Sequence, residues 1–124
     1  MPVIWRAYGE LLRLEYPLFR KDFSAIYESV RRTPLAARRA VASSPETICR
    51  AVDLAAVLYF RKVLCLQRSA ATARLLKKHG FAAELVVGVQ YVPFRAHAWV
   101  ELDGLVINDK PYVSDTYAVL ARCS

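Results

Sequence analysis

Three side chains of this sequence have the types that nucleophilic acyl transfer requires. Cys65 heads Cys65-Leu66-Gln67-Arg68-Ser69, His97 lies in Ala96-His97-Ala98-Trp99-Val100-Glu101, and Asp109 closes Val106-Ile107-Asn108-Asp109. The reactive form of a cysteine is its thiolate, and unpaired N–H groups at a helix start stabilise that anion. Of the three cysteines, only Cys65 is placed at a predicted helix start. In such a set His97 holds the imidazolium that pairs with the thiolate and later protonates a leaving amine, and Asp109 fixes its tautomer and orientation.

Whether His97 and Asp109 can meet depends on the turn between them. A two-residue turn at Asp103-Gly104 pairs Leu102 with Leu105, sets His97 opposite Lys110 and puts Asp109 on the wrong face. A three-residue loop, Leu102-Asp103-Gly104 with Gly104 left-handed, pairs Glu101 with Leu105, Trp99 with Ile107 and His97 with Asp109. The second register is expected. It also gathers Trp99, Leu105 and Ile107 on one apolar face, suited to packing on the helix that bears Cys65.

The elements that must position these groups change character midway. Leu11, Leu12, Leu14, Leu18 and Phe19, then Phe23, Ile26, Tyr27 and Val30, recur at helical spacing, with Pro17 and Pro34 as breaks or first-turn residues. Ser44 as N-cap and Pro45 at the first position predict a helix through Leu54 and Leu58 to about Arg61. The next helix spans Cys65 to Lys78. Leu66, Ala70, Ala73 and Leu76 form its inner stripe, Gln67, Arg68, Arg74, Lys77 and Lys78 face outward, and His79 and Gly80 end it. From Glu84 the period becomes strand-like, Pro93 marks a turn, and strands 95–101 and 105–109 form a hairpin. The predicted fold is α+β, with a helical N-terminal half, then a nucleophile-bearing helix on a small antiparallel sheet. One domain over 1–124 is expected, with residues 1–60 as lead-in and 61–123 as catalytic core.

An apolar fraction of 56% excludes disorder as the default. No secretory signal is visible, since Arg6, Glu10, Arg13, Glu15, Arg20 and Lys21 interrupt the first thirty residues. The most apolar stretch, Leu54 to Phe60, is too short to span a bilayer, so a cytoplasmic protein is expected. Three cysteines do not make a disulfide framework; Cys49 and Cys123 read as small apolar fillers or tail residues. The net charge of +7 is uneven, with +5 in residues 1–64 and +2 in residues 65–124. Arg31-Arg32 and Arg38-Arg39 read either as a basic face for an acidic peptide, a partner protein or nucleic acid, or as ordinary solvated helix.

The order of nucleophile on a helix, then His and Asp on neighbouring strands, is similar to transglutaminase-like and papain-like cysteine enzymes. The block from Cys65-Leu66-Gln67-Arg68-Ser69 through Phe94-Arg95-Ala96-His97-Ala98-Trp99-Val100-Glu101 and Asp103-Gly104 to Asn108-Asp109 resembles the leader peptidase of lasso-peptide biosynthesis, over about residues 60 to 123. The resemblance implies cytosolic cleavage of a ribosomally made precursor, which exposes the core peptide for a separate ATP-dependent cyclase. Cys65, His97 and Asp109 match the family's nucleophile, histidine and carboxylate, and no cofactor is implied. No winged-helix recognition module fits in the helical first half. The resemblance therefore implies the split form, in which a separate small protein captures the leader. One departure from papain relatives is Tyr59, where they carry a Gln that helps bind the oxyanion; the Cys65 N–H supplies one donor and the second is unidentified.

Three other readings compete. An acyltransferase or transamidase would use the same thiolate with an amine in place of water. Zinc binding by Cys65, His97 and Asp109 is disfavoured, because zinc takes several Cys or His at short spacing and one of each is present. A nucleic-acid or interaction module would use the basic helices but leaves Cys65 unexplained.

Overall fold

The computed structural model describes residues 3–20, 22–36, 44–60, 62–91 and 94–124, apart from the side chains of residues 18 and 114. Helices come first: α1 (Val3–Phe19), α2 (Phe23–Arg32), α3 (Pro45–Leu58) and α4 (Cys65–Lys78). Strands β1 (Ala83–Tyr91), β2 (Phe94–Leu102) and β3 (Leu105–Val106), a short α5 (Val113–Thr116) and β4 (Ala118–Cys123) follow. The strands form one antiparallel sheet in the order β3-β2-β1-β4. The fold is α+β, as the change of period predicts.

Local signals set most helix ends. Asp22 Oδ1 accepts from the Ala25 N–H at 3.1 Å, and Ser44 Oγ accepts from the Thr47 N–H at 3.2 Å, with Pro45 at the first helical position. Thr33 ends α2 in the extended conformation that a following proline imposes. Pro17 is neither a break nor a first-turn residue: it sits inside the last part of α1. Helix α3 stops at Leu58, where Tyr59 turns extended as its cap, short of the expected end near Arg61, and the turn at Pro93 lies outside the described residues.

Helix α4 is the centre of the fold. Its Ala70, Ala73 and Leu76 join Ala83, Leu85, Val87, Ala98 and Val100 of the sheet and Leu11, Leu14, Ile48 and Val52 of α1 and α3 in one core. The expected outward face is therefore wrong for three residues. Gln67, Arg74 and Lys77 are all buried, because α1 and α2 cover that side of the helix. Each polar head then needs a partner. Gln67 Nε2 donates to the Leu11 carbonyl at 3.0 Å. Arg74 donates to Glu10 at 2.7 Å and to the Ser29 carbonyl at 2.9 Å, and Lys77 donates to the Val30 carbonyl at 2.9 Å. Lys78 also reaches Glu10. Helical spacing alone cannot tell a solvated cation from one that covers buried carbonyls.

The sheet's other face carries a second, smaller cluster of Val86, Trp99 and Val113, with Val106 and Tyr117 against it. This corrects the expectation that Trp99 packs on the Cys65 helix: Ala98 and Val100 face α4, and alternation sends Trp99 to the far side. Of its expected companions, Ile107 does pack on the main core, while Leu105 is exposed. Trp99 Nε1–H donates to the buried Glu101 at 2.9 Å, and Glu101 in turn accepts from Arg122 at 3.0 Å. Helix α5 and strand β4 have no counterpart in the sequence reading.

The hairpin differs from the expected three-residue loop. Leu102 pairs with Leu105 and Glu101 with Val106, across a two-residue turn. Asp103 (φ 54°) and Gly104 (φ 80°) are both left-handed, as a type I′ turn requires. β3 is also shorter than the predicted 105–109. After Val106 the Ile107 N–H still donates to the Val100 carbonyl at 3.1 Å, but the Val100 N–H turns to Asn108 Oδ1 at 2.7 Å. A side chain thus takes the place of a ladder carbonyl, and the chain leaves the sheet there.

Two outcomes follow. Asn108 is buried and its Nδ2 also donates to Ser69 Oγ at 3.0 Å, so Asn108→Ala leaves the Val100 N–H without its acceptor and should cost about 2 kcal/mol in denaturant unfolding. Burial pushes the Glu10 carboxyl up, but hydrogen bonds and charges from Arg74 and Lys78 outweigh it and hold it below its ordinary 4.5. A depressed carboxyl contributes stability at pH above its unfolded value, and that stability is lost as pH falls through the lower folded value. Unfolding free energy measured from pH 7 down to pH 3 should show this acid limb, and Glu10→Gln should flatten it while costing about 3 kcal/mol at pH 7.

Candidate active site

Cys65 is the first residue of α4, half-buried, and its thiol is free. Leu64 occupies the cap position and supplies no side-chain bond to the helix start. The first intrahelical bond runs from the Arg68 N–H to the Leu64 carbonyl at 3.0 Å. The N–H groups of residues 65 to 67 therefore precede the helix's own pairing and orient toward its N-terminal end. The other two thiols are unsuited to nucleophilic work. Burial, with Asp53 and Glu46 nearby, pushes Cys49 up to about 11, and burial in the core also raises Cys123.

His97 lies on β2, directly opposite Gly88 of β1. Its Nε2 meets Asp109 Oδ2 at 2.5 Å. The Lys110 N–H donates to the other carboxylate oxygen at 2.8 Å. Burial pushes the Asp109 carboxyl up, yet the His97 and Lys110 hydrogen bonds and the charges of His97 and Arg68 bring it below the usual carboxylate value. Asp109 is thus an anion oriented at both oxygens, and it presents His97 with Nδ1 as the ring atom left for proton exchange.

The pairing of His97 with Asp109 arises by a different route from the expected one. Under the two-residue turn, an uninterrupted ladder would place Asp109 beside Ala98 on the opposite face. The early end of β3 removes that constraint, and the segment after Asn108 swings Asp109 to the imidazole.

Cys65 and the imidazole lie on different elements, and strand alternation puts His97 with Trp99 on the sheet face away from α4, so the pairing that the described residues show is of His97 with Asp109 and not with Cys65. Among the described residues no hydrogen bond joins the Cys65 sulfur to His97, and no three His, Cys, Asp or Glu side chains converge as a metal site would need. What links the two sides is Arg68, three residues after Cys65 and so on the same helix face. Its Nη1 lies 3.7 Å from Asp53 of α3, its charge acts on Asp109, and its buried Nε has no partner. Asp53 is raised by burial and by the nearby Asp109 charge, against the pull of Arg68. Cys65 and Arg68 share an open groove of about 500 Å³ with Asp53, Ala56, Val57, Lys62 and Val63.

Tyr59, at the papain glutamine position, does not point to an oxyanion. It is buried, its hydroxyl donates to Glu15 at 2.8 Å, and burial and that carboxylate push it up to about 12. Gln67 is held against the same Glu15. Arg68 had a signal in its three-residue offset from Cys65; Asp53, on another helix, had none. The supporting pair Ser69 and Asn108 is likewise invisible before the elements are brought together.

Comparison with known proteins places these residues in context. A family model described as the transglutaminase-like superfamily matches residues 10–122. The chain is also 46% identical over 58 residues to the microcin J25-processing protein McjB of Escherichia coli. That stretch is 47% of this chain and 28% of the relative's length. No solved structure matches the chain significantly. With a half-exposed cysteine opening the central helix, a histidine on the adjacent sheet and a family match across nearly the whole described fold, the chain belongs to the transglutaminase-like superfamily.

Proposed function

We propose that this protein is a cytoplasmic cysteine endopeptidase that removes the leader from a ribosomally made lasso-peptide precursor, with Cys65 as nucleophile, His97 as acid and base, and Asp109 as its orienting carboxylate. The observation that carries this reading is the 2.5 Å pairing of His97 Nε2 with Asp109, which holds the ring's other nitrogen for proton transfer. Support for the substrate class comes from the likeness to the microcin J25-processing protein.

In this mechanism the Cys65 thiolate attacks the carbonyl carbon of the scissile peptide. The Cys65 N–H at the helix start donates to the oxygen that becomes negative. Protonated His97 gives its Nδ1 proton to the departing amine as the C–N bond breaks, leaving a thioester on Cys65. Water then attacks the thioester, His97 takes its proton, and the C–S bond breaks to release the leader's new carboxylate. Asp109 stays ionised throughout and stabilises the imidazolium.

The fold reads in this proposal as a single catalytic domain, served by a separate leader-recognition protein and followed by a lasso cyclase. The described part of the basic face is modest, since Arg31 and Arg32 both pair with Glu28, at 3.3 and 3.7 Å. Arg38 and Arg39 lie outside the described residues.

Mass spectrometry of a precursor peptide incubated with the protein, with and without its recognition partner, tests the reading. Cys65→Ala should abolish cleavage with the fold intact, whereas Cys49→Ala and Cys123→Ala should retain most of it. Turnover by Cys65→Ala near the wild-type rate would remove the proposal. Independently of substrate, brief iodoacetamide treatment of the native protein at pH 7 should alkylate Cys65 well ahead of Cys49 and Cys123. Partner should accelerate cleavage by raising local substrate concentration. Reversing Arg31, Arg32, Arg38 and Arg39 to Glu should weaken that acceleration, most visibly at low salt. A variant that responds to partner as wild type does would make the basic face merely solvated.

A further inference from the structure

On the sheet face away from α4, three rings stand together where one strand has no side chain. His97 lies 5.4 Å from Tyr117 between ring centroids, at 26° between planes, and 6.2 Å from Trp99 at 28°. Trp99 and Tyr117 are 6.2 Å apart. The cross-strand neighbour of His97 is Gly88. A Cβ there would meet Trp99 Cη2 at 2.7 Å, Tyr117 Cβ at 2.8 Å and Trp99 Cζ3 at 2.9 Å. The space that any other residue would fill is occupied by the indole and by the root of the tyrosine.

Tyr117 reaches that place because of an irregularity in β4. Val87 pairs with Ala121 but the next residue, Gly88, pairs with Val119, so Leu120 is an extra residue on β4. Continuing the register before the bulge would bring Tyr117 opposite Tyr91, on the α4 side. Continuing the register after it brings Tyr117 opposite Gln90, on the face of Gly88, His97 and Trp99. The same bulge lets Arg122, five residues along, share this face and reach Glu101 and Glu84.

We propose that Tyr117 is a positioning residue for His97, its ring stacking on the imidazole to fix the plane that Asp109 alone leaves free to turn. This rests on the role of His97 proposed above. A hydrogen bond through Nε2 anchors one atom of the imidazole; a stacked face restrains rotation about that anchor. Charged groups on the described elements around the ring are Asp109, which bonds it, Arg68 of α4 and Asp53 of α3 behind Asp109, Lys110, and the Glu84–Glu101–Arg122 group farther along the same face. Substitution of Tyr117 leaves all of them in place.

The experiment is an NMR spectrum of the two histidine rings, with His79→Gln used to assign them, on the wild type, Tyr117→Phe and Tyr117→Leu. Tyr117→Leu should move the His97 ring protons downfield, because the shielding of the stacked face is lost. Tyr117→Phe should keep the wild-type positions. Unmoved His97 ring protons in Tyr117→Leu, or a Tyr117→Phe that behaves like Tyr117→Leu, would overturn the inference. The wild type decides the placement even if Tyr117→Leu does not fold, because missing cross-relaxation between the His97 and Tyr117 ring protons overturns it. Failure to cleave any precursor while these shifts hold would sink the peptidase reading and leave the stack standing.

Discussion

Asn108 ties together the three chain segments on which the site depends. Its side-chain oxygen takes the Val100 N–H of β2, its amide donates to Ser69 of α4, and the Ser69 hydroxyl donates to the Ala98 carbonyl. One buried amide thus joins the helix that starts at Cys65, the strand that carries His97 and the segment that ends in Asp109. Each bond replaces a contact with water that burial has removed, so none can be dropped without stranding a polar group. By stopping β3 after two residues, the same amide also frees Asp109 from strand alternation.

The electrostatic design around this knot is graded by depth. In the core, Glu10 answers Arg74 and Lys78, so that α4 is charged along much of its length yet buried. Near the site, Arg68 pairs with Asp53 at 3.7 Å while its charge also acts on Asp109, and its Nε is unpaired. On the far face, Arg122 bridges Glu84 and Glu101, and both charges hold it above its ordinary value. Charge of one sign is never gathered next to Cys65 alone among the described residues.

What could be read from the sequence was what is written locally. Ser44 and Pro45 announce α3, Gly80 ends α4 after its basic last turn, and the change of period after Glu84 marks the sheet. The type of each element followed from these signals and fixed the α+β class. Faces and registers did not follow. Asp103-Gly104 fits both a two-residue and a three-residue turn, and the choice lies in the left-handed φ that Asp103 accepts. The candidate residues could be picked by type, but the reason His97 meets Asp109 lies in a side chain standing in for a ladder carbonyl, which no period reveals. The outward face of α4 failed for a related reason: long cationic stems cover apolar surface and spend their heads on carbonyls of α2.

The turn at Asp103-Gly104 makes distance along the chain a discrete variable. With both residues left-handed, the return strand is locked to β2 in a single phase. Adding or deleting one residue there would not stretch the hairpin but reverse it, exchanging inside for outside along Leu105, Val106 and Ile107 and sending the Asn108 amide away from Val100. The hairpin can therefore accept substitutions, at position 103 by residues such as Asn or Gly that take the left-handed backbone, but length is the one property this part of the chain cannot change by a single step.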